Sequence, residues 1–159
     1  MVLNDELRAT HEASHAVTKF SFGIPVSELA INETGGYCAS PDRWEQSFNF
    51  RDLAKQEALM QRAIVSCSGR YGMKLLRGSK PDCGWKVSDD RRQALEACMK
   101  YCDGDEISAS HLLSYAMRQA ELLIAKNTEK IQRLTLALID RTKLSGAEIA
   151  QLLNGAKAA

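Results

Sequence analysis

No apolar run in the chain is long enough to span a bilayer, and Met1-Val2-Leu3-Asn4-Asp5-Glu6 has neither the basic start nor the apolar stretch of a signal peptide. The expectation is a soluble, cytoplasmic protein with no membrane partner. No charge of one sign prevails: Lys/Arg and Asp/Glu are interspersed to a formal net charge of +1, so there is no basic footprint for nucleic acid. Aromatic residues are few, at 6%, against a high aliphatic and alanine content, which favours packed helices over a sheet-rich fold. No CxxC pair occurs among Cys38, Cys67, Cys83, Cys98 and Cys102, an odd and scattered set expected to be free thiols in a reducing compartment. Cys98 and Cys102 share a helical face and read as small buried hydrophobes rather than metal ligands. The phosphate-cradling GxxxxGK[ST] loop is absent, so no ATP is expected on this chain. At 159 residues, a single domain over 1–159 is expected.

Histidine is scarce too, with three in all, yet two of them stand four apart in Thr10-His11-Glu12-Ala13-Ser14-His15-Ala16-Val17. Residues i and i+4 of a helix project from one face a turn apart, so both imidazoles can converge on one Zn²⁺. Glu12 between them is better placed to take a proton from water than to bind the ion, the division of labour of the His-Glu-x-x-His pattern. Asn4 as N-cap, Asp5 and Glu6 in the first turn, and no Gly or Pro before Gly23 and Pro25 predict a helix with the motif in its middle. The plainer reading is two polar residues on a solvated helix face.

Beyond that helix, Leu29 and Ile31 alternate with Glu28, Ala30 and Asn32 before Glu33-Thr34-Gly35-Gly36 and Tyr37-Cys38-Ala39, a pattern that predicts a short hairpin with a glycine turn. Ser40 to Asn49, with Trp44 and Phe48, has no clean period and reads as a loop whose aromatics anchor local packing or face a substrate. Helical spacing of apolar residues runs from about Arg51 to Arg77, with Gly69 and Gly72 as loosening points, and Gly78 to Lys86 forms a second loop. Ser88 as N-cap with Asp89 and Asp90 in the first turn opens a helix to about Tyr101. A further helical stretch from about Ser108 to Arg141, interrupted near Asn127-Thr128, precedes a last helix that opens on the capping box Ser145-Gly146-Ala147-Glu148 and ends at Asn154-Gly155. These C-terminal helices carry apolar faces and no reactive groups, which suits core or an oligomer contact.

A catalytic zinc needs a third protein ligand and leaves a fourth position to water. An extended motif with a third histidine requires Gly at position 18 and His at 21, where the chain has Thr18 and Ser21. His111 begins an apolar helix and suits packing or the surface better than coordination. The carboxylates are too many to choose among by spacing, so the residues alone leave the third ligand open.

HEASHAV followed by VSELAINETGGYCAS resembles the histidine-motif helix and substrate-side strand pair of the FtsH-type zinc metallopeptidase domain. QRAIVSCSGRYG is similar to the small-residue stretch of that family's next long helix, VSDDRRQAL to its segment with an Asn-Asp pair, and RQAELLIAKNTEKIQRLTLALIDRTKLSGAEIAQLL to its C-terminal helical part. The resemblance covers nearly the whole chain. It implies a mainly α domain with a small β-hairpin after the motif helix, a zinc-site part over about 1–103 and a C-terminal helical part over about 104–155. It implies zinc on His11, His15 and Asp90, with Glu12 as catalytic base; Asp89, where the family commonly has Asn, is the alternative ligand or an acceptor for a ligand histidine. It also implies that the strand Leu29-Ala30-Ile31-Asn32 holds an extended peptide by β-addition. Ser14 departs from the family's glycine, and Tyr71-Gly72-Met73 from its usual Ala and Glu residues.

The function so implied is an ATP-independent zinc metalloendopeptidase acting on flexible or unfolded polypeptides. A homo-oligomer or an ATPase partner acting in trans is left open. The rival is a non-catalytic, zinc-stabilised module that docks on a ring protease or regulates it, against which a structural zinc has no use for a Glu between its histidines.

Overall fold

The computed structural model describes residues 2–41, 53–77 and 87–155. Among them are six helices and one small sheet: α1 (Val2–Ser21), β1 (Glu28–Ile31), β2 (Gly36–Ala39), α2 (Leu53–Arg77), α3 (Val87–Tyr101), α4 (Glu106–Lys126), α5 (Thr128–Arg141), β3 (Lys143–Ser145) and α6 (Gly146–Asn154). The fold is mainly α, as the composition predicts. None of these helices is long and apolar enough to cross a membrane.

The motif helix is the centre of the molecule. Every residue from Ala9 to Thr18 is buried. Ala9, Ala13, Ala16 and Val17 join one apolar cluster with Leu29 and Ile31 of β1, Leu134 and Leu138 of α5, and Ile149 and Leu153 of α6. A second cluster lies between α2, α3 and α4 and is built largely of Ala63, Ala94, Ala97, Cys98, Ala109, Ala116 and Ala120. Side chains this small let helix axes approach closely. Cys98 is packed there as a small hydrophobe, as expected, while Cys102 is only partly buried.

Several boundaries differ from the sequence reading. α1 begins at Val2, so Asn4 falls inside the helix and does not cap it. α3 begins at Val87, which puts Ser88 within the helix as well. α4 starts at Glu106, capped by the Asp105 carboxylate accepting from the Ser108 N–H (3.0 Å), two residues earlier than the apolar period suggests. The break at Asn127 is real: the residue closes α4 and leads into α5. α2 continues through Gly69 and Gly72 without interruption. The capping box of α6 is present in both directions, Ser145 Oγ accepting from the Glu148 N–H and Glu148 from the Ser145 N–H. The loops expected over 42–49 and 78–86 lie outside the described residues.

The hairpin also forms, with Leu29 opposite Cys38 and Ile31 opposite Gly36. A third strand alters its meaning. β3 pairs antiparallel with the other side of β1, placing Leu29 opposite Leu144, so the sheet order is β2-β1-β3. The Ile31 N–H donates to the Thr142 carbonyl (2.9 Å) and the Asn32 N–H to Gly35 (2.8 Å), which occupies the rest of the strand. Leu29, Ala30, Ile31 and Asn32 therefore have no free edge for an added peptide, and the expectation that they hold one is corrected: β1 is the central strand, with β2 and β3 on its two sides.

Candidate metal centre

Packed as it is, α1 must satisfy its polar side chains internally. Ser14 Oγ donates to the Thr10 carbonyl (2.7 Å) and Thr18 Oγ1 to the Ser14 carbonyl (2.8 Å), which ties those hydroxyls to their own helix. His11 and His15 turn instead toward α2 and α3. His11 is fully buried and His15 8% exposed, so the solvated-face reading of the motif does not describe them.

Asp90, in the first turn of α3, completes the group. Its Oδ2 lies 2.8 Å from His11 Nε2 and 3.2 Å from His15 Nε2, and the two Nε2 atoms are 3.0 Å apart. A four-coordinate zinc with bonds of about 2.0–2.1 Å sets its ligand atoms roughly 3.3 Å apart, so this triangle fits the ion after an expansion of a few tenths of an ångström. Two imidazoles and one carboxylate are also the donor set of an open catalytic site. Among the described residues it is the one group of three or more such side chains with converging ligand atoms. Asp89 points elsewhere: it accepts from Arg92 (2.7 Å) and Gln93 (3.0 Å) on its own helix, with its side chain half exposed.

Backbone and side chains of α2 orient the ligands. His15 Nδ1 lies 2.7 Å from the Val65 carbonyl, which can only accept, so Nδ1 carries the proton and Nε2 faces the site. Ser68 Oγ donates to the same carbonyl (2.6 Å) and sits 3.2 Å from Nδ1. Gly69 lies flat against the other ring; a Cβ there would come within 2.7 Å of both His11 nitrogens. Gly36, placed by the sequence in the hairpin turn, is the first residue of β2 and makes room for Glu12: a Cβ would stand 2.9 Å from Glu12 Cγ. Val65, Ser68 and Gly69 carry no motif of their own. Their use depends on how α1 crosses α2, and no spacing within α2 announces it.

The charges of the group are coupled. Burial pushes the Asp90 carboxyl up, but hydrogen bonds and charge from His11 and His15 outweigh it and hold it well below the usual carboxylate range. Burial holds His11 below the ordinary imidazole value despite its bond to Asp90. For His15 burial also acts downward, yet Asp90, Glu12 and the Val65 carbonyl together raise it. Asp90 thus favours a proton on His15, while burial disfavours a second charge on His11. The Nε2 and Oδ2 atoms that converge here are those offered to a cation.

Glu12 is 2% exposed and, with His15 and Asp90, lines a cleft of about 220 Å³ whose wall includes Lys19 from α1 and Tyr37 and Cys38 from β2. Sequence reading placed Glu12, His11 and His15 together, and the structure brings Asp90 to them; Leu29 to Asn32 it does not. No protein-family model and no curated protein matches the chain at a significant level.

Proposed function

We propose that this chain is a zinc-dependent hydrolase, and within that class an endopeptidase that cuts flexible or unfolded polypeptide without binding ATP itself. The observation that carries the reading is the convergence of His11 Nε2, His15 Nε2 and Asp90 Oδ2 beside a buried carboxylate, Glu12, at one cleft. Zinc held by those three atoms would supply a Lewis acid for a peptide carbonyl and lower the pKa of water. Glu12 takes the proton of the attacking water on its carboxylate and delivers it to the leaving amine. Val65 and Ser68 keep the His15 ring from turning, and Gly69 seats His11. A purely structural zinc is closed by four protein ligands. Three converge among the described residues, which favours catalysis over a docking module.

The test is zinc content and casein hydrolysis of the natural chain beside Glu12→Gln at matched metal loading. One zinc per chain, with cleavage by the natural protein alone, supports the peptidase. Equal zinc and no cleavage by either moves the non-catalytic module ahead, and no zinc binding removes both readings.

A further inference from the structure

α4 buries Ala109, Leu113, Ala116, Ala120 and Ile124 against the rest of the fold. The helical period then assigns Ile107, His111, Ser114, Tyr115, Arg118 and Leu122 to the opposite stripe, and all of them are exposed. A helix face left to water is ordinarily lined with charge. This one carries a single residue that is always charged, Arg118, whose guanidinium is already paired with Glu121 (3.0 Å). Ile107 is 72% exposed, Tyr115 53% and Leu122 37%. Apolar residues scattered singly over a surface are ordinary, but these lie on one line about 22 Å long at 1.5 Å per residue.

The stripe is alike from either end. Its midpoint falls between Ser114 and Tyr115, with Ile107 and Leu122 equidistant from it and His111 and Arg118 equidistant inside them. A second helix turned end for end about that midpoint sets Ile107 level with Leu122, and Tyr115 beside its own counterpart. The two ends of α4 differ in sign. Asp103, Asp105 and Glu106 stand at its start and Lys126 at its end, all exposed, and among the described residues none of the four forms an ion pair. A parallel partner would bring acids to acids, whereas an antiparallel one lays the acidic start of each copy over Lys126 of the other.

We infer that the outward face of α4 is a self-docking surface whose occupant is a second copy of this chain, the two α4 helices lying antiparallel about a twofold axis between Ser114 and Tyr115. A contact of this kind uses the same patch on both copies and closes at two. A lipid surface suits the face less well, because helices that lie on membranes carry Lys and Arg along the polar side, and this one is acidic at its start. One pair of helices is a small interface, so the association is micromolar rather than nanomolar. None of the residues lining the cleft beside Glu12 belongs to α4, so the inference stands apart from the peptidase reading.

The test is sedimentation velocity of the full chain, which should pass from monomer to dimer between about 1 and 200 µM. Tyr115→Glu sets two carboxylates beside the axis and should weaken dimerisation at least about tenfold. Ile107→Asp should act in the same direction, while Leu136→Glu, on the exposed side of α5, should change nothing. Circular dichroism checks that each variant folds. Carbodiimide treatment of the natural chain should also join Lys126 to Asp103, Asp105 or Glu106, as read by peptide mass spectrometry. The ends of one 21-residue α4 are about 30 Å apart, so such a bond forms only between copies, and it decides the matter even where a variant fails to fold. A monomer throughout that range, a dimer without this cross-link, a dimer that survives both α4 substitutions, or one that Leu136→Glu disperses overturns the inference.

Discussion

Ser14 and Gly72 share one small volume between α1 and α2. A Cβ on Gly72 would lie 2.9 Å from Ser14 Cβ and closer still to its hydroxyl. The two meet: the bulk of the Ser14 side chain is taken up by the absence of one at Gly72. Gly72→Ala should therefore destabilise the protein by about 1–3 kcal/mol through overpacking. Ser14→Gly in the same chain should return part of that loss, although Gly inside a helix costs about 1 kcal/mol by itself. Urea unfolding of the two single variants and the double closes the cycle; strict additivity would mean that the two residues do not press on each other.

Gly69 bears on the candidate metal centre in the same manner. Gly69→Ala should push the His11 ring out of place and weaken zinc binding by at least about tenfold, with helix content unchanged by circular dichroism. Unaltered zinc affinity would show that the ring has room to retreat.

The two neighbouring acids should separate cleanly. Asp90→Ala removes the carboxylate shared by both imidazoles and should abolish tight zinc binding, whereas Asp89→Ala loses only bonds to Arg92 and Gln93 on an exposed helix face and should leave affinity within about twofold. Calorimetric titration of each variant decides between them.

Metal removal should cost stability, because the ligands converge only in the folded chain. At free zinc about 100 times the dissociation constant, binding adds about 2.7 kcal/mol. For a chain of this size, chelation should lower Tm by roughly 5–10 °C. The sign of the pH effect follows from His15: its value is raised, so zinc competes with a proton over a range that extends above the ordinary imidazole value. Affinity should climb with pH above 6.5, and titration in buffers of different ionisation enthalpy should register about one proton released.

Thiol chemistry offers a check on the alanine-rich core. Burial pushes Cys67 up to about 12 and Cys98 up to about 11, so both remain protonated thiols at pH 8. Iodoacetamide should modify neither in the native protein at that pH, yet both in urea, as read by peptide mass spectrometry. Rapid native labelling of Cys98 would mean that the packing of α3 on α4 opens readily.

What could be read from the chain divides by distance along it. His11, Glu12 and His15 are legible because one helical turn relates them, and the capping box of α6 because it spans four residues. Asp90 is separated from the histidines by the β1–β2 hairpin and the whole of α2, so no spacing rule reaches it and only the resemblance pointed there. Gly69 looked like a weak point of α2 because a glycine's cost to a helix is local, while the ring it accommodates comes from another element. The error over Leu29 to Asn32 has the same origin. Three residues, Lys143 to Ser145, are too few to display alternation, so β1 seemed to have an open side that β3 in fact fills.

That arrangement also sets the order in which the molecule can be finished during synthesis. β1 emerges early, but its second neighbour is encoded far along the chain, after α5. Until then one edge of β1 is bare, and the hairpin that walls the cleft is a two-stranded piece of marginal stability. A ribosome-bound intermediate would thus carry His11, Glu12, His15 and Asp90 well before the wall of the cleft is firm.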